Sequence, residues 1–316
     1  MTNPLVSVCI PCYNAAPYIG QAIDSIIAQT YPHIEIIVVN DGSTDNSGRV
    51  LEGYRSSRIK VINANFGSAA KSRNLAFSMS HGHWIKFFDA DDLLNTEAIE
   101  RQLERLGDRV DVVASSAWGR FYRDQINSFT SNPQSVWRDL ESSNWLVEAW
   151  QLAQPMTQPG MFLIPRPLLE AAGGWDETLT LIDDFEFFAR VLCHAKEVRF
   201  TPSARLYYRS GISSSLSRQS SRRAFESAYH SLIKGTSYLL QKRDDPEAKR
   251  SCANLFQSYV YDAFPRHMDL IRLMERRIEA LGGSDLKMPA GPRLALLSSF
   301  LGWRNAKRLR ALVTRY

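Results

Sequence analysis

The 316-residue chain has only four cysteines, Cys9, Cys12, Cys193 and Cys252, too few and too irregularly spaced for a disulfide framework. Cys9-Ile10-Pro11-Cys12 spells a Cys-x-x-Cys pair, but it lies on or just past an extended stretch instead of opening a helix. With no second cysteine pair or nearby histidine pair, neither redox chemistry nor a zinc site is expected there. The six histidines show no ligand spacing. No run of 18 apolar residues occurs, and Met1 to Tyr13 lacks a basic segment followed by an apolar core and a cleavage site. A cytoplasmic protein in a reducing compartment is therefore expected. Internal repeats are also missing, and the only compositional bias is the Ser-rich stretch Ser210 to Ser221, which reads as a mobile loop that could close over a ligand.

What is present is a globular composition, 44% hydrophobic and 22% charged, which excludes wholesale disorder. The length suits a catalytic domain with an appended piece. The net charge of +5 is unevenly spread: Met1 to Ser221 holds 20 Lys and Arg against 24 Asp and Glu, whereas Arg222 to Tyr316 holds 18 against 9. A basic tail points to a phospholipid surface or a nucleic acid, or is simply a solvated helical surface. Leu309, Leu312, Val313 and Tyr316 recur at helical spacing among Arg304, Lys307, Arg308, Arg310 and Arg315. That composition fits a helix lying on an anionic membrane, and equally a terminal helix packing its apolar side on the body. Without a recognisable binding module, nucleic acid is not expected as a partner.

The first third alternates strand and helix patterns. Val6 to Ile10, Ile34 to Val39, Ile59 to Ile62 and Trp84 to Phe88 read as strands, and Ile19 to Ile27, a short piece at Val50 to Tyr54, and Ala69 to Met79 as helices. Such alternation implies right-handed crossovers and an α/β fold with a mainly parallel sheet, helices covering both faces. Further on, Val110 to Ala117 reads as a strand and Trp118 to Pro159 as a long polar and aromatic segment with a helix near Asn144 to Leu152. Met161 to Ile164, a helix from Pro167, the turn Gly173-Gly174 and a helix from Asp183 to Cys193 complete the core. From Arg222 only helices are expected, broken at Asp245-Pro246, Pro265, Gly282-Gly283 and Gly291-Pro292. The expected division is a Rossmann-like domain over 1–221 and a basic α-helical C-terminal extension over 222–316.

In open α/β sheets ligands bind beyond the carboxyl ends of the strands. Here those ends read Pro11-Cys12-Tyr13-Asn14, Asn40-Asp41-Gly42-Ser43 and Asp89-Ala90-Asp91-Asp92. Three carboxylates in a four-residue turn repel one another unless a cation is bound, and Mg²⁺ or Mn²⁺ bridging a carboxylate to substrate phosphates is the natural one. A solvated acidic turn capping the next helix is the plain alternative. The Tyr13 ring could stack on a nucleobase whose ring N–H is accepted by Asp41, selecting a uracil-like edge; alternatively Tyr13 packs and Asp41-Gly42-Ser43 is a turn. Asp183-Asp184 opens a helix, where carboxylates are favoured by the dipole or could serve as a general base.

In this order and spacing these residues resemble the family 2 glycosyltransferases of the GT-A fold. The matching text is Val6 to Asn14, Ile37 to Asp45, Lys71-Ser72-Arg73-Asn74, Asp89-Ala90-Asp91-Asp92, and Gly173-Gly174-Trp175-Asp176 ahead of Asp183-Asp184, spanning about Pro4 to Arg209. The resemblance implies an inverting, metal-dependent transfer of a sugar from a nucleotide diphosphate donor, a UDP-sugar favoured, to an acceptor hydroxyl in polysaccharide or glycolipid synthesis. By analogy Pro11, Tyr13, Asn14 and Asp41 hold the base, Arg73 places the donor or forms a structural salt bridge, Asp89 touches the ribose side and Asp91 holds the metal, Mn²⁺ or Mg²⁺. Asp184 matches the base that deprotonates the acceptor, with Asp183 in reserve, because the family commonly has Glu-Asp there. Many relatives carry a histidine after the position of Tyr207-Tyr208-Arg209; here Ser210-Gly211 follows, and Ser213 to Ser215 or a water would have to substitute. Trp175 is the expected acceptor-binding aromatic, and Trp137, Trp145 and Trp150 either join it or pack in the core. The expected partners are thus a nucleotide-sugar donor, a saccharide or lipid-linked saccharide acceptor, and a peripheral membrane contact through the basic helices. A nucleotide-sugar-binding assembly partner with little turnover is the alternative from another class.

Overall fold

A computed structural model describes residues 4–122, 124–212 and 221–313, with the backbone alone for 292–295 and 310–313. The chain begins with β1 (Val6–Cys12), α1 (Ile19–Ile27), β2 (Ile34–Asp41), α2 (Ser47–Glu52), β3 (Ile59–Ala64), α3 (Ala69–Ser78) and β4 (Trp84–Phe87). It continues through β5 (Leu93–Leu94), α4 (Ala98–Leu106), β6 (Val112–Tyr122), β7 (Gln125–Ser131), β8 (Leu140–Glu141), α5 (Ser142–Trp150), β9 (Ile164–Pro165), α6 (Arg166–Ala172), α7 (Asp183–His194) and β10 (Glu197–Ser210). Four helices follow: α8 (Arg222–Lys242), α9 (Pro246–Ala263), α10 (Met268–Ala280) and α11 (Pro292–Val313).

The first sheet has the order β3-β2-β1-β4-β9, parallel except for β9. Strands β1, β2 and β4 are buried almost throughout, as expected where helices cover both faces and strands read as continuous apolar runs. Helix α1 buries Ile19, Ala22, Ile23 and Ile26, the stripe expected from its 3.6-residue periodicity. Cys9 and Cys12 are free and buried in this sheet. Burial pushes both thiols up, that of Cys12 to about 11, so neither carries thiolate near neutrality.

A second, mixed sheet, β5-β10-β6-β7 with β8 against β10, replaces the long irregular segment expected after Trp118. β6 runs on to Tyr122 and turns back antiparallel into β7. Its Ser115 and Ser116 are buried and β7 is mostly exposed, so neither strand shows the alternation that would reveal it. β10 was unexpected because Pro202 interrupts it; its pairing with β6 jumps from Thr201 to Arg205, confining the proline to a bulge. Trp145 and Trp150 are buried and Trp137 stacks on Phe200 at 5.4 Å, which settles all three as packing residues.

Beyond Arg222 the chain is helical, with breaks close to those expected. Asp245 caps α9 with Pro246 at its first position, and a cis Phe264-Pro265 bond follows it. α8 props the segment that leads into α7. Ser227 Oγ accepts from the amides of Thr180 and Leu181 at 2.8 and 3.1 Å, and the Ser231 hydroxyl donates to the Ile182 carbonyl at 2.6 Å. α11 bends at Gly302 (φ +73°), after which Trp303 packs edge-on against Tyr261 and Phe264 and Ala306 is fully buried. The side chains of Leu312, Val313 and Tyr316 lie outside the described residues, as do Ser213 to Ser215 and the rest of 213–220. Among the described residues no helix is long and apolar enough to cross a membrane.

Gly82 sets the approach of β4 to β1. Its N–H donates to Ser7 Oγ at 2.7 Å, and a Cβ there would lie 2.6 Å from the Ser7 nitrogen and 2.9 Å from the Leu5 carbonyl, both backbone. Gly82→Ala is therefore expected to lower the urea midpoint by the equivalent of about 1–3 kcal/mol with an unchanged slope. Gly53→Ala, where φ is −69° and the nearest atom is 3.5 Å away, should leave the midpoint within about 0.5 kcal/mol of wild type.

Candidate active site

The loops after β1 and β2 are locked together by Asn14. This residue takes a left-handed conformation (φ 48°), which Asn tolerates, and its Oδ1 accepts from the amides of Thr44 and Asp45 at 2.8 and 3.3 Å. Its own N–H donates to Ser43 Oγ at 3.0 Å. Beside it the Tyr13 ring stands 62% exposed, while Pro11 is half-buried on the strand. Asp41 is only 4% exposed. Its Oδ1 accepts from the amides of Phe66 and Gly67, and Oδ2 from Ser68 at 2.9 Å, so the carboxylate shapes the turn into α3. Three of its roughly four acceptor positions are thereby used and about one is left.

The acidic turn follows β4. Burial pushes the Asp91 carboxyl up to about 7, the neighbouring Asp89 charge adding to the effect. Asp92 is fully buried and held well above the carboxylate range, first by burial and then by Asp91 and Asp89. Its Oδ1 accepts from the Arg209 amide at 2.9 Å, whereas Oδ2 has no partner among the described residues. The buried Arg209 guanidinium donates to the Asp91 carbonyl at 2.7 Å, Asp124 at 2.5 Å and Gln21 at 2.7 Å, between the rings of Tyr18 and Phe121. Arg209 thus joins the acidic turn to the second sheet. Burial and the three aspartates push the nearby Tyr208 hydroxyl up to about 12.

Arg73 on α3 links this turn to α7. It donates to Asp89 Oδ1 at 2.9 Å and to Asp183 Oδ2 at 3.0 Å, and its guanidinium lies 4.3 Å from the centre of the Trp175 ring. Trp175 is fixed in turn by Asn74, whose side chain accepts from the Trp175 amide at 2.7 Å and donates to its carbonyl at 2.9 Å. The indole stacks on Phe187 at 3.9 Å and is only 3% exposed. Trp175, the expected acceptor-binding aromatic, thus lies as a floor beneath Arg73.

α7 starts after Ile182, held left-handed at φ 50°. Asp183 is occupied by Arg73 and by the Asp184 amide. Asp184 accepts a hydrogen bond from Thr157 Oγ1 at 3.1 Å, and burial, with the Asp183 charge second, pushes its carboxyl up to about 7. Tyr259 of α9 lies close enough for the Asp184 charge to raise its hydroxyl further, after burial.

Two polar residues escaped the sequence reading. Lys86 on β4 is fully buried and donates to the carbonyls of Gly160 and Phe162 at 2.9 and 3.1 Å, its amine lowered to about 7 by burial. A lysine within the apolar Trp84 to Phe88 run was the available signal. Gln158, beside Thr157, is 5% exposed with both amide atoms unpartnered among the described residues. Nothing in its surrounding sequence marks it out.

The structure therefore joins Arg73, Asp89, Asp183 and Asp184 into one hydrogen-bonded chain, with Asp91 at its border, and gathers Pro11, Tyr13, Asn14 and Asp41 at the ends of β1 and β2. Among the described residues no three His, Cys, Asp or Glu side chains form a metal cage. A hard cation still fits, because Mg²⁺ commonly uses one or two carboxylates and takes its other ligands from phosphates and water. The crowded, half-neutral Asp91 and the orphaned Asp92 oxygen mark a turn short of positive charge.

Comparison with known proteins matches residues 7–171 to the model of Glycosyl transferase family 2. The chain is 30% identical over 218 residues to "Uncharacterized glycosyltransferase EpsJ" of Bacillus subtilis (strain 168), covering 65% of this chain and 61% of the relative. It is 32% identical over 172 residues to "Putative teichuronic acid biosynthesis glycosyltransferase TuaG" of the same organism, covering 52% and 68%. The match to EpsJ thus spans less than two thirds of that relative's length. Among solved structures, S. aureus TarS 1-349 in complex with UDP-GlcNAc superposes with a TM-score of 0.63 at 18% identity, covering 88% of each chain. Mannosyltransferase PcManGT from Pyrobaculum calidifontis, in complex with GDP-Man and Mn2+, gives 0.56 at 18% identity, covering 99% of this chain and 84% of that one. At that identity the likeness establishes the shared fold.

A carboxyl held at about 7 in the fold but near 3.8 in the unfolded chain binds its proton more tightly when folded. Its stabilising contribution is complete below pH 3.8 and is lost as pH rises through 7. Asp91→Asn is accordingly expected to melt above wild type at pH 8, the gap narrowing as pH falls through 7 and closing only towards pH 3.8, in scanning calorimetry. Added Mn²⁺ should raise the melting temperature of wild type at pH 8 and not that of the variant.

Proposed function

Since the chain belongs to glycosyl transferase family 2, we propose that it moves a sugar from a nucleotide diphosphate donor to an acceptor hydroxyl, with inversion and with the help of a divalent cation. The observation that carries this reading is the Asp89–Arg73–Asp183 bridge, which sets an acidic turn suited to a nucleotide sugar beside Asp184, a carboxyl poised near neutrality.

Tyr13 supplies a face for the base, framed by Pro11 and the Asn14-locked loops, and the spare acceptor position of Asp41 receives the ring N–H of uracil. A UDP-sugar is the favoured donor on this ground, and thymine offers the same edge. Asp89 reaches the ribose with the oxygen that Arg73 leaves open. A divalent cation, held by Asp91, would neutralise charge gathering on the diphosphate. Arg73 already pairs with two carboxylates, so its part is to hold α7 in register with β4 more than to bind phosphate.

Asp184 is the base, because Asp183 is spent on Arg73. Thr157 orients the Asp184 carboxylate as it takes the acceptor's hydroxyl proton. The acceptor oxygen forms its bond to the anomeric carbon from the face opposite the diphosphate. The bond between that carbon and the phosphate oxygen breaks, its electron pair leaving with the nucleoside diphosphate. A single displacement needs one carboxylate base and no covalent sugar intermediate, in contrast to the paired carboxylates of retaining glycosidases. We assign 1–221 to the catalytic unit and 222–316 to an extension that braces α7. The acceptor is a saccharide or a lipid-linked saccharide, in keeping with a relative named for teichuronic acid biosynthesis.

Calorimetric titration of UDP-, GDP- and dTDP-sugars with and without Mn²⁺, paired with a turnover assay, tests the assignment. Asp184→Asn should bind donor like wild type while kcat falls about 10²- to 10⁴-fold. In wild type kcat should climb as pH rises through about 7, because only the ionised carboxylate accepts a proton. Asp91→Ala should lose metal-dependent donor binding. Folded protein that binds no nucleotide sugar, or binds one without turning over any acceptor, would overturn the reading in favour of a non-catalytic partner.

A further inference from the structure

Leu296, Leu297, Phe300 and Leu301 of α11 are all exposed, Phe300 by 80% and Leu296 by 63%. At 100° per residue these four positions fall within one side of the helix. They precede the bend at Gly302, whereas Trp303 and Ala306 beyond it are packed against the body and the Lys307 amine donates to the Tyr261 carbonyl. The second half of α11 is thus pinned, and the first half presents a contiguous apolar face. A monomeric surface seldom leaves such a face without a partner. The charge of its own segment has one sign: residues 286–316 hold seven Lys and Arg and no Asp or Glu, with Arg304 paired to Glu275 of α10. Of these, Lys287, Arg304 and Arg308 are exposed.

We propose that the Leu296–Leu301 face of α11 is a docking surface for an anionic phospholipid bilayer, lying in the plane of the headgroups with its apolar side chains in the acyl boundary. Apolar insertion and attraction to acidic headgroups are the two components of such binding, and this segment carries both. The charge argues against a second copy of the chain, which would set two such basic segments against each other. This surface precedes the stripe named in the sequence expectation, of which Leu309 is exposed, and which follows the turn where Trp303 meets α9.

The docking face is linked to the catalytic centre through α9. Tyr261 and Phe264 of α9 receive Trp303, and Tyr259, less than a turn away from Tyr261, lies beside Asp184. The two tyrosines stand about 200° apart around α9, so this helix lies between the docking face and Asp184, and the docking does not depend on the glycosyl-transfer reading.

The full chain is sedimented with vesicles of phosphatidylcholine alone and of phosphatidylcholine with 30% phosphatidylglycerol, at low and high salt. Wild type is expected to partition onto the acidic vesicles and to be released by salt. Leu296→Glu with Phe300→Glu, at exposed positions that leave the core untouched, is expected to lower that partition roughly tenfold or more, and Lys287→Glu with Arg308→Glu to weaken it too. Donor binding measured on the same samples verifies that each variant is folded and reports on the active-site reading separately. Wild type that stays in the supernatant with acidic vesicles, or binds as well after the apolar pair is changed, overturns the proposal. A concentration-dependent dimer abolished by Leu296→Glu and Phe300→Glu would overturn it in favour of a second copy.

Discussion

The guanidinium of Arg73, shared between Asp89 and Asp183, is the interaction on which the catalytic arrangement depends. It is the point where a turn at the end of β4 meets a helix whose start lies 110 residues beyond the arginine itself. The arginine is buried and could not stay charged there alone, and the two half-buried carboxylates supply its counter-charge. Each group is tolerable only because the other two are there, so the distance between the acidic turn and Asp184 is set by a closed triad. The indole of Trp175 supports that triad from below, and Asn74 holds the indole by both backbone polar groups.

Around the triad the protein retains electrostatic cost it could have avoided. Asp91, Asp92 and Asp184 all carry carboxyls raised mainly by burial, and Asp92 keeps an oxygen with no partner among the described residues. Arg209 offsets part of this through the Asp91 carbonyl and the Asp92 side chain, and it does so from the end of β10, fastening the second sheet to the first. A stability-driven sequence would have replaced these groups with apolar ones. Their presence at the ends of parallel strands is the pattern expected where local rules yield to chemistry.

Much of this was readable without coordinates, for identifiable reasons. β1 to β4 and their helices declare themselves because each is either continuously apolar or periodic, and the polar words after each strand then fall at the crevice by topology alone. The C-terminal breaks were equally plain, since Asp-Pro and Gly-Gly pairs have local conformational causes. What escaped was whatever depends on distant partners. The grip of Asp41 on a turn 25 to 27 positions later, and the burial of Trp175 against Phe187 and Asn74, both need the folded chain. Lys86, Gln158 and Arg209 have no motif, since their roles exist only once β4, the 157–162 segment and β10 are brought together.

The family match ends at residue 171, so it contains Pro11, Tyr13, Asn14, Asp41, Arg73, Asp89 and Asp91 but neither Asp183 nor Asp184. The polar ends of β1, β2 and β4 therefore lie inside the family match, while α7 lies beyond it, in a part of the chain that the shared fold still covers. α8 holds the residues just before α7 through Ser227 and Ser231, and packs so closely that a Cβ on Gly235 would lie 2.5 Å from the Phe185 ring. α9 adds Tyr259 beside Asp184 and carries the platform for α11. A change in those helices would move Asp184 against a fixed Arg73 without touching the nucleotide end. Arg73 and its neighbour Asn74 on α3 are the side chains that tie this later part of the chain to the central sheet, one through Asp183 and the other through Trp175.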